Sequence, residues 1–149
     1  MSSMRLLSFL LLISLFACRL FAQKVTPTLV YKDTTKYVET SAFAAVLEDA
    51  NSEWSIQQVM RMPDSVFQWS QMSRLNLGNS ASRFWVRFRV ENKTNEDLYF
   101  LNVVPIIQYL DLYAVDADGH IQAYPPSGIL RPFENRTLPV HKINFHLGK

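Results

Sequence analysis

Leu75-Asn76-Leu77-Gly78-Asn79-Ser80-Ala81-Ser82-Arg83-Phe84-Trp85-Val86-Arg87-Phe88-Arg89-Val90-Glu91 is the stretch whose reading decides the fold. Its second half alternates strictly. Phe84, Val86, Phe88 and Val90 fall on one side of an extended chain, and Trp85, Arg87, Arg89 and Glu91 on the other. A period of two marks a half-buried β-strand, and aromatic and β-branched residues suit a pleated surface. Residues 78–82 have loop chemistry, because Gly and Asn tolerate positive φ. The stretch therefore predicts a loop feeding a central strand. Phe84, Val86 and Phe88 are expected in the core. Trp85 and two arginines face outward and need partners.

Similar strands follow. Residues 98–104 are apolar on both faces, with Leu98, Phe100 and Asn102 on one side and Tyr99, Leu101 and Val103 on the other, which suits a central strand. Residues 109–115 alternate again. Asp116-Ala117-Asp118-Gly119 then reads as a hairpin turn into residues 121–124. Leu110 and Leu112 join the expected core. Residues 140–147 make the last strand.

Upstream, residues 42–47 read as a strand, although their three alanines leave a helical turn open. Ser55 precedes Gln58 by three, the spacing of a capping box, in which each side chain meets the other residue's backbone N–H. Ile56, Val59 and Met60 then share one helical face, and Pro63 ends the helix. One short helix near residues 55–61 is expected. Short strands, one minor helix and turn clusters together predict an all-β chain, a mostly antiparallel β-sandwich.

The first residues do not belong to that core. Arg5 gives a positive start, residues 6–16 are apolar but short for a membrane span, and Ala22 is small before Gln23. Residues 1–22 are read as a secretory signal peptide. The alternative is a lipidated Cys18, the single cysteine. Residues 23–43 are an N-terminal arm or first strand, with an apolar triplet Leu29-Val30-Tyr31. Residues 44–149 are the main domain, expected to be truncated at Lys149, which follows directly on a strand. The chain has 149 residues, 15 Lys plus Arg and 13 Asp plus Glu. Loss of residues 1–22 removes only Arg5 and Arg19, leaving a near-neutral domain. That argues against a nucleic-acid partner, which needs a basic stripe.

The order and spacing of several motifs resemble the type 2 extracellular domain of bacterial seven-transmembrane receptors with diverse intracellular signalling modules (7TMR-DISM). Residues 46–49 followed by 54–59 are similar to its opening strand and helix. Residues 75–78 with Phe84-Trp85-Val86-Arg87-Phe88 and Asn92 are similar to its central signature. Leu110-Asp111-Leu112-Tyr113 with Asp118-Gly119 resembles its next hairpin, and Gly128, Pro132-Phe133 and Arg136 its last approach. Val86 and Val90 stand where leucine-type residues are commoner, and residues 63–74 form a long loop. The resemblance implies a jelly-roll-like sandwich akin to carbohydrate-binding modules. It also implies an exported, periplasmic sensor of a small ligand, followed by a membrane-embedded signalling region.

No catalytic constellation is present, so no enzyme, cofactor or metal is expected. His141 and His146 are an odd number apart and would face opposite sides of one strand. Asp116 and Asp118 echo a calcium loop, but the acidic ligand further on is missing. The expected ligand-binding residues are Trp85, Arg87, Tyr109, Asp111, Tyr113 and Arg136. Aromatic rings stack on the C–H faces of sugars while Arg and Asp fix hydroxyls. The same aromatics also serve simply to cover a sandwich, and Arg87 equally suits an ion pair with Asp111. The function read from this is ligand sensing by a receptor or sensor kinase, with carbohydrate among the ligand classes. The rival readings are a protein-interaction or assembly module and an accessory carbohydrate-binding domain of a secreted protein.

Overall fold

The computed structural model describes residues 27–33, 37–96, 98–103, 107–132, 134 and 143–148. The proposed signal segment, Cys18 and Arg136 lie outside them. The described chain is mostly strand with one short helix, and it divides into two compact units.

The first unit takes in residues 27–31 and 37–92. It contains β1 (Thr28–Tyr31), β2 (Ala45–Asp49), helix α1 (Ile56–Met60), β3 (Gln68–Trp69), β4 (Arg83–Arg87) and β5 (Arg89–Asn92). The expected strand over residues 84–91 is thus interrupted at Phe88. Its first part pairs antiparallel with β2 in a sheet ordered β3-β2-β4, and its second part pairs parallel with β1. The strand expected over residues 42–47 also shifts. Ser41–Phe43 is a 3-10 turn, and β2 runs on through Glu48 and Asp49.

The capping box forms as read. Gln58 N donates to Ser55 Oγ at 3.3 Å and Ser55 N to Gln58 Oε1 at 2.8 Å. Val59 from this helix joins Ala45 and Phe67 in a buried cluster, with Leu47, Trp54, Met62 and Trp85 packed around it. Each fully buried side chain of valine or phenylalanine size contributes roughly 1.5–3 kcal/mol. This cluster corrects the expected faces of β4. Trp85 lies on the core side, whereas Val86 is 41% exposed and Phe84 and Phe88 are only half-buried. A period of two defines two faces but not which one is covered. Here α1 and Phe67 cover the Trp85 side.

Asp49 closes the link from β2 to α1. Its buried carboxylate accepts from Glu53 N at 3.1 Å and Trp54 N at 3.0 Å. Burial opposes its charge. These two N–H groups, the Trp85 indole and Arg83 outweigh that and hold its pKa below the usual value.

The second unit takes in residues 32–33 and the described residues from 93 onward. Its β6 (Leu98–Val103) pairs antiparallel with β9 (Ile143–Gly148), and β7 (Tyr113–Val115) with β8 (Ile121–Ala123). The expected strand over residues 109–115 is ordered as strand only from Tyr113. Before it, Leu110 makes an isolated bridge to Ser127. Leu110 and Leu112 are half-buried.

Candidate functional site

A bulge shapes the surface of the second unit. Leu110 faces Ser127 while Tyr113 faces Ala123, so Asp111 and Leu112 oppose Tyr124, Pro125 and Pro126. The extra residue falls where two prolines have no N–H to give the ladder. A bulge of this kind bends the strand and re-aims its side chains. Backbone bonds hold both flanks: Tyr124 N to Leu112 O at 3.0 Å, Leu110 N to Ser127 O at 2.7 Å and Ile129 N to Ile107 O at 3.0 Å. Gly128 has φ +131°, and a Cβ there would sit 2.2 Å from Gln108 O. Only glycine lets the two chain segments approach this closely.

This framework sets Tyr109, Asp111 and Arg131 side by side. Arg131 donates from Nη1 to Asp111 Oδ1 at 2.7 Å and from Nη2 to Oδ2 at 3.2 Å. The same guanidinium stands 5.7 Å from the Tyr109 ring centroid. Tyr109 is 59% exposed. The result is an open aromatic face beside a carboxylate held in one orientation by a two-pronged ion pair. It can stack an apolar ring face and hydrogen-bond to polar groups at that ring's edge. Tyr113, in the same unit, is half-buried on β7.

The other expected site residues sit in the first unit. Trp85 packs on the core cluster. Arg87 pairs with Asp64 at 2.8 Å, which corrects the expected partner Asp111. Its guanidinium lies 3.8 Å from the Phe67 ring centroid. Burial pulls its pKa down, with Asp64 opposing that pull. Arg131 is the residue that sequence reasoning missed. The available signal was Asp111 itself, a charge on an apolar strand that needed a cation.

The Asp116–His120 turn forms the β7–β8 hairpin. Asp116 Oδ1 accepts from His120 N at 2.8 Å and Asp118 N at 3.0 Å, and Oδ2 lies 3.0 Å from His120 Nδ1. The His120 N–H is the largest cause of the lowered Asp116 pKa. Asp116, Asp118 and His120 bring possible ligand atoms within 4.8 Å of one another, all on exposed side chains. The turn's own hydrogen bonds account for that grouping.

Comparison with known families decides the assignment. The family model described as 7TMR-DISM extracellular 2 matches residues 41–148. The chain belongs to this family. A 7TMR-DISM extracellular 2 domain is an extracellular sensor domain of membrane receptors, a class that signals through further modules. No curated protein and no solved structure matches the chain. Among the described residues, no helix is long and apolar enough to cross a membrane.

Proposed function

We propose that this 7TMR-DISM domain senses a small polar ligand, a carbohydrate by chemical fit, on the Tyr109–Asp111–Arg131 surface. The observation that carries the reading is the exposed Tyr109 ring beside the fixed Asp111–Arg131 pair. Tyr113, half-buried on β7, belongs to the same stretch of chain, and Arg136 lies outside the described residues. Trp85 serves the fold. The domain works on the periplasmic side of the inner membrane after removal of residues 1–22, as a jelly-roll-like sandwich akin to carbohydrate-binding modules. Its role is binding rather than catalysis, and the ligand state passes to a membrane-embedded signalling region.

One such surface offers limited contact, so affinity for a monosaccharide falls between millimolar and tens of micromolar in order of magnitude. Titration of the full chain with neutral sugars, amino acids and cell-wall fragments, followed by intrinsic fluorescence, tests the reading. Tyr109→Ala should weaken the detected ligand by about tenfold, equivalent to about 1.4 kcal/mol, and Trp85→Phe should not. A folded Tyr109→Ala chain that binds every detected ligand as well as the parent would refute it.

A protein-interaction surface is the second reading. It is favoured by Ile129 and Leu130, which are exposed and hydrogen-bonded along residues 107 and 108. Self-association that disappears in Ile129→Ser/Leu130→Ser would support it.

A further inference from the structure

The first unit holds an arginine pair whose arrangement exceeds what pairing alone requires. Arg87 ends β4 and Arg89 begins β5. They straddle the break at Phe88, and both reach Asp64. Arg87 Nη2 donates to Oδ1 at 2.8 Å and Arg89 Nη2 to Oδ2 at 3.3 Å. Two guanidiniums on one carboxylate leave the cluster with a net positive charge. A guanidinium binds a carboxylate best through two parallel N–H groups on one edge. Asp64 uses only Nη2 of Arg87. The neighbouring Nε is buried and has no hydrogen-bond partner among the described residues. Leaving a buried donor unmet is unfavourable, and such a group calls for an explanation.

Asp64 is constrained in a way a free anion is not. It opens the 3-10 turn Asp64–Val66, whose next residue, Phe67, is 8% exposed in the core cluster. The turn fixes where the Asp64 carboxylate can stand, and from there it meets one donor of the Arg87 edge. An untethered carboxylate can meet both. The rim of the cluster is open, since Arg89 has 47% and Asp64 20% of its side chain exposed.

We propose that Arg87, Arg89 and the Phe67 ring form a binding site for a small carboxylate-bearing molecule, and that Asp64 occupies this site as an internal ligand. The incoming carboxylate displaces Asp64, takes the Nε and Nη2 donors of Arg87 and keeps the Arg89 contact. Displacement frees the turn that seats Phe67, so occupancy is coupled to the core of the unit. The site is distinct from the Tyr109 surface and does not rest on it.

The test uses the full chain labelled with 15N. Acetate and glucuronate are titrated against chloride at matched ionic strength while the arginine Nε–Hε signals are followed. The Arg87 signal should move saturably with the carboxylates and not with chloride. Asp64→Ser should bind roughly tenfold tighter or more, because removing an internal competitor raises the fraction of open sites. If Asp64→Ser does not fold by far-UV circular dichroism, Asp64→Asn is isosteric and uncharged and is read the same way. Arg89→Gln in either background should weaken binding. No saturable movement, an equal response to chloride, or equal affinity with and without the Asp64 carboxylate would each overturn the proposal.

Discussion

Replacing Gly128 with alanine is expected to destabilise the second unit severely. The backbone there has φ +131°, a region that side-chain-bearing residues rarely adopt. Holding a non-glycine residue there costs about 1–3 kcal/mol. The new Cβ would also stand 2.2 Å from Gln108 O, 2.8 Å from Gln108 C and 2.9 Å from Tyr109 Cα. Ordinary contact begins near about 3.5 Å, and all three atoms are backbone, so no side chain can swing aside. Opening the gap strains the bonds from Ile129 N to Ile107 O and from Leu130 N to Gln108 O, at 3.0 and 3.2 Å. Overpacking of this kind adds about 1–3 kcal/mol. The sum centres on about 4 kcal/mol, a Tm loss of roughly 10–15 °C for a chain of this size. Urea denaturation followed by circular dichroism measures it. Gly119→Ala is the control: φ is +85° but nothing lies within 4 Å of its Cβ, so only backbone strain is added. Equal effects of the two substitutions, or a Gly128→Ala loss below about 1 kcal/mol, would refute the reasoning.

Phe67→Ala should cost about 3–5 kcal/mol, whereas Val86→Ala should cost well under about 1 kcal/mol, because Phe67 is buried and Val86 is exposed. The reverse order in chemical denaturation would restore the faces first read from the alternation. Ser55→Ala should lose about 1 kcal/mol by removing the helix cap, and no change in urea midpoint would contradict the capping box. Asp49 has a lowered pKa in the fold. Its charged form therefore stabilises the native state above its unfolded pKa of about 3.9, and that contribution is lost as pH falls through the lower folded value. Asp49→Asn should flatten the acid side of the Tm–pH profile, and an unchanged acid limb would count against this account.

Local signals were legible in the sequence, and long-range ones were not. Ser55 and Gln58 meet within one helical turn, so their spacing alone gives the cap. The strand character of residues 83–87 and 98–103 followed from alternation and apolar content. Which face of β4 is covered depends on Val59 and Phe67, distant in the chain, and the period carries no such information. The break at Phe88 arises because β5 leaves β2 for the parallel neighbour β1, a pairing across about sixty residues that no local pattern encodes. In the candidate site, Tyr109 and Asp111 were visible as an aromatic and a charge two residues apart. Arg131 was not, because the bulge and Gly128 that bring it to Asp111 act between separate segments. Arg87 was visible as a buried-type cation, but Asp64 was hidden in a stretch read as loop.

The Tyr109–Asp111–Arg131 surface is proposed to receive the ligand that the receptor senses. The most direct measurement is residue-by-residue NMR mapping of the full chain during titration with the best neutral sugar from the panel, which carries no carboxylate for the Arg87 site. Saturable shifts are expected at Tyr109, Asp111 and Arg131 and at the Ser127–Gly128 backbone beside them, with Val59, Phe67 and Trp85 unmoved. Shifts concentrated on the Trp85 cluster instead, with Tyr109 and Arg131 unmoved at saturation, would contradict it.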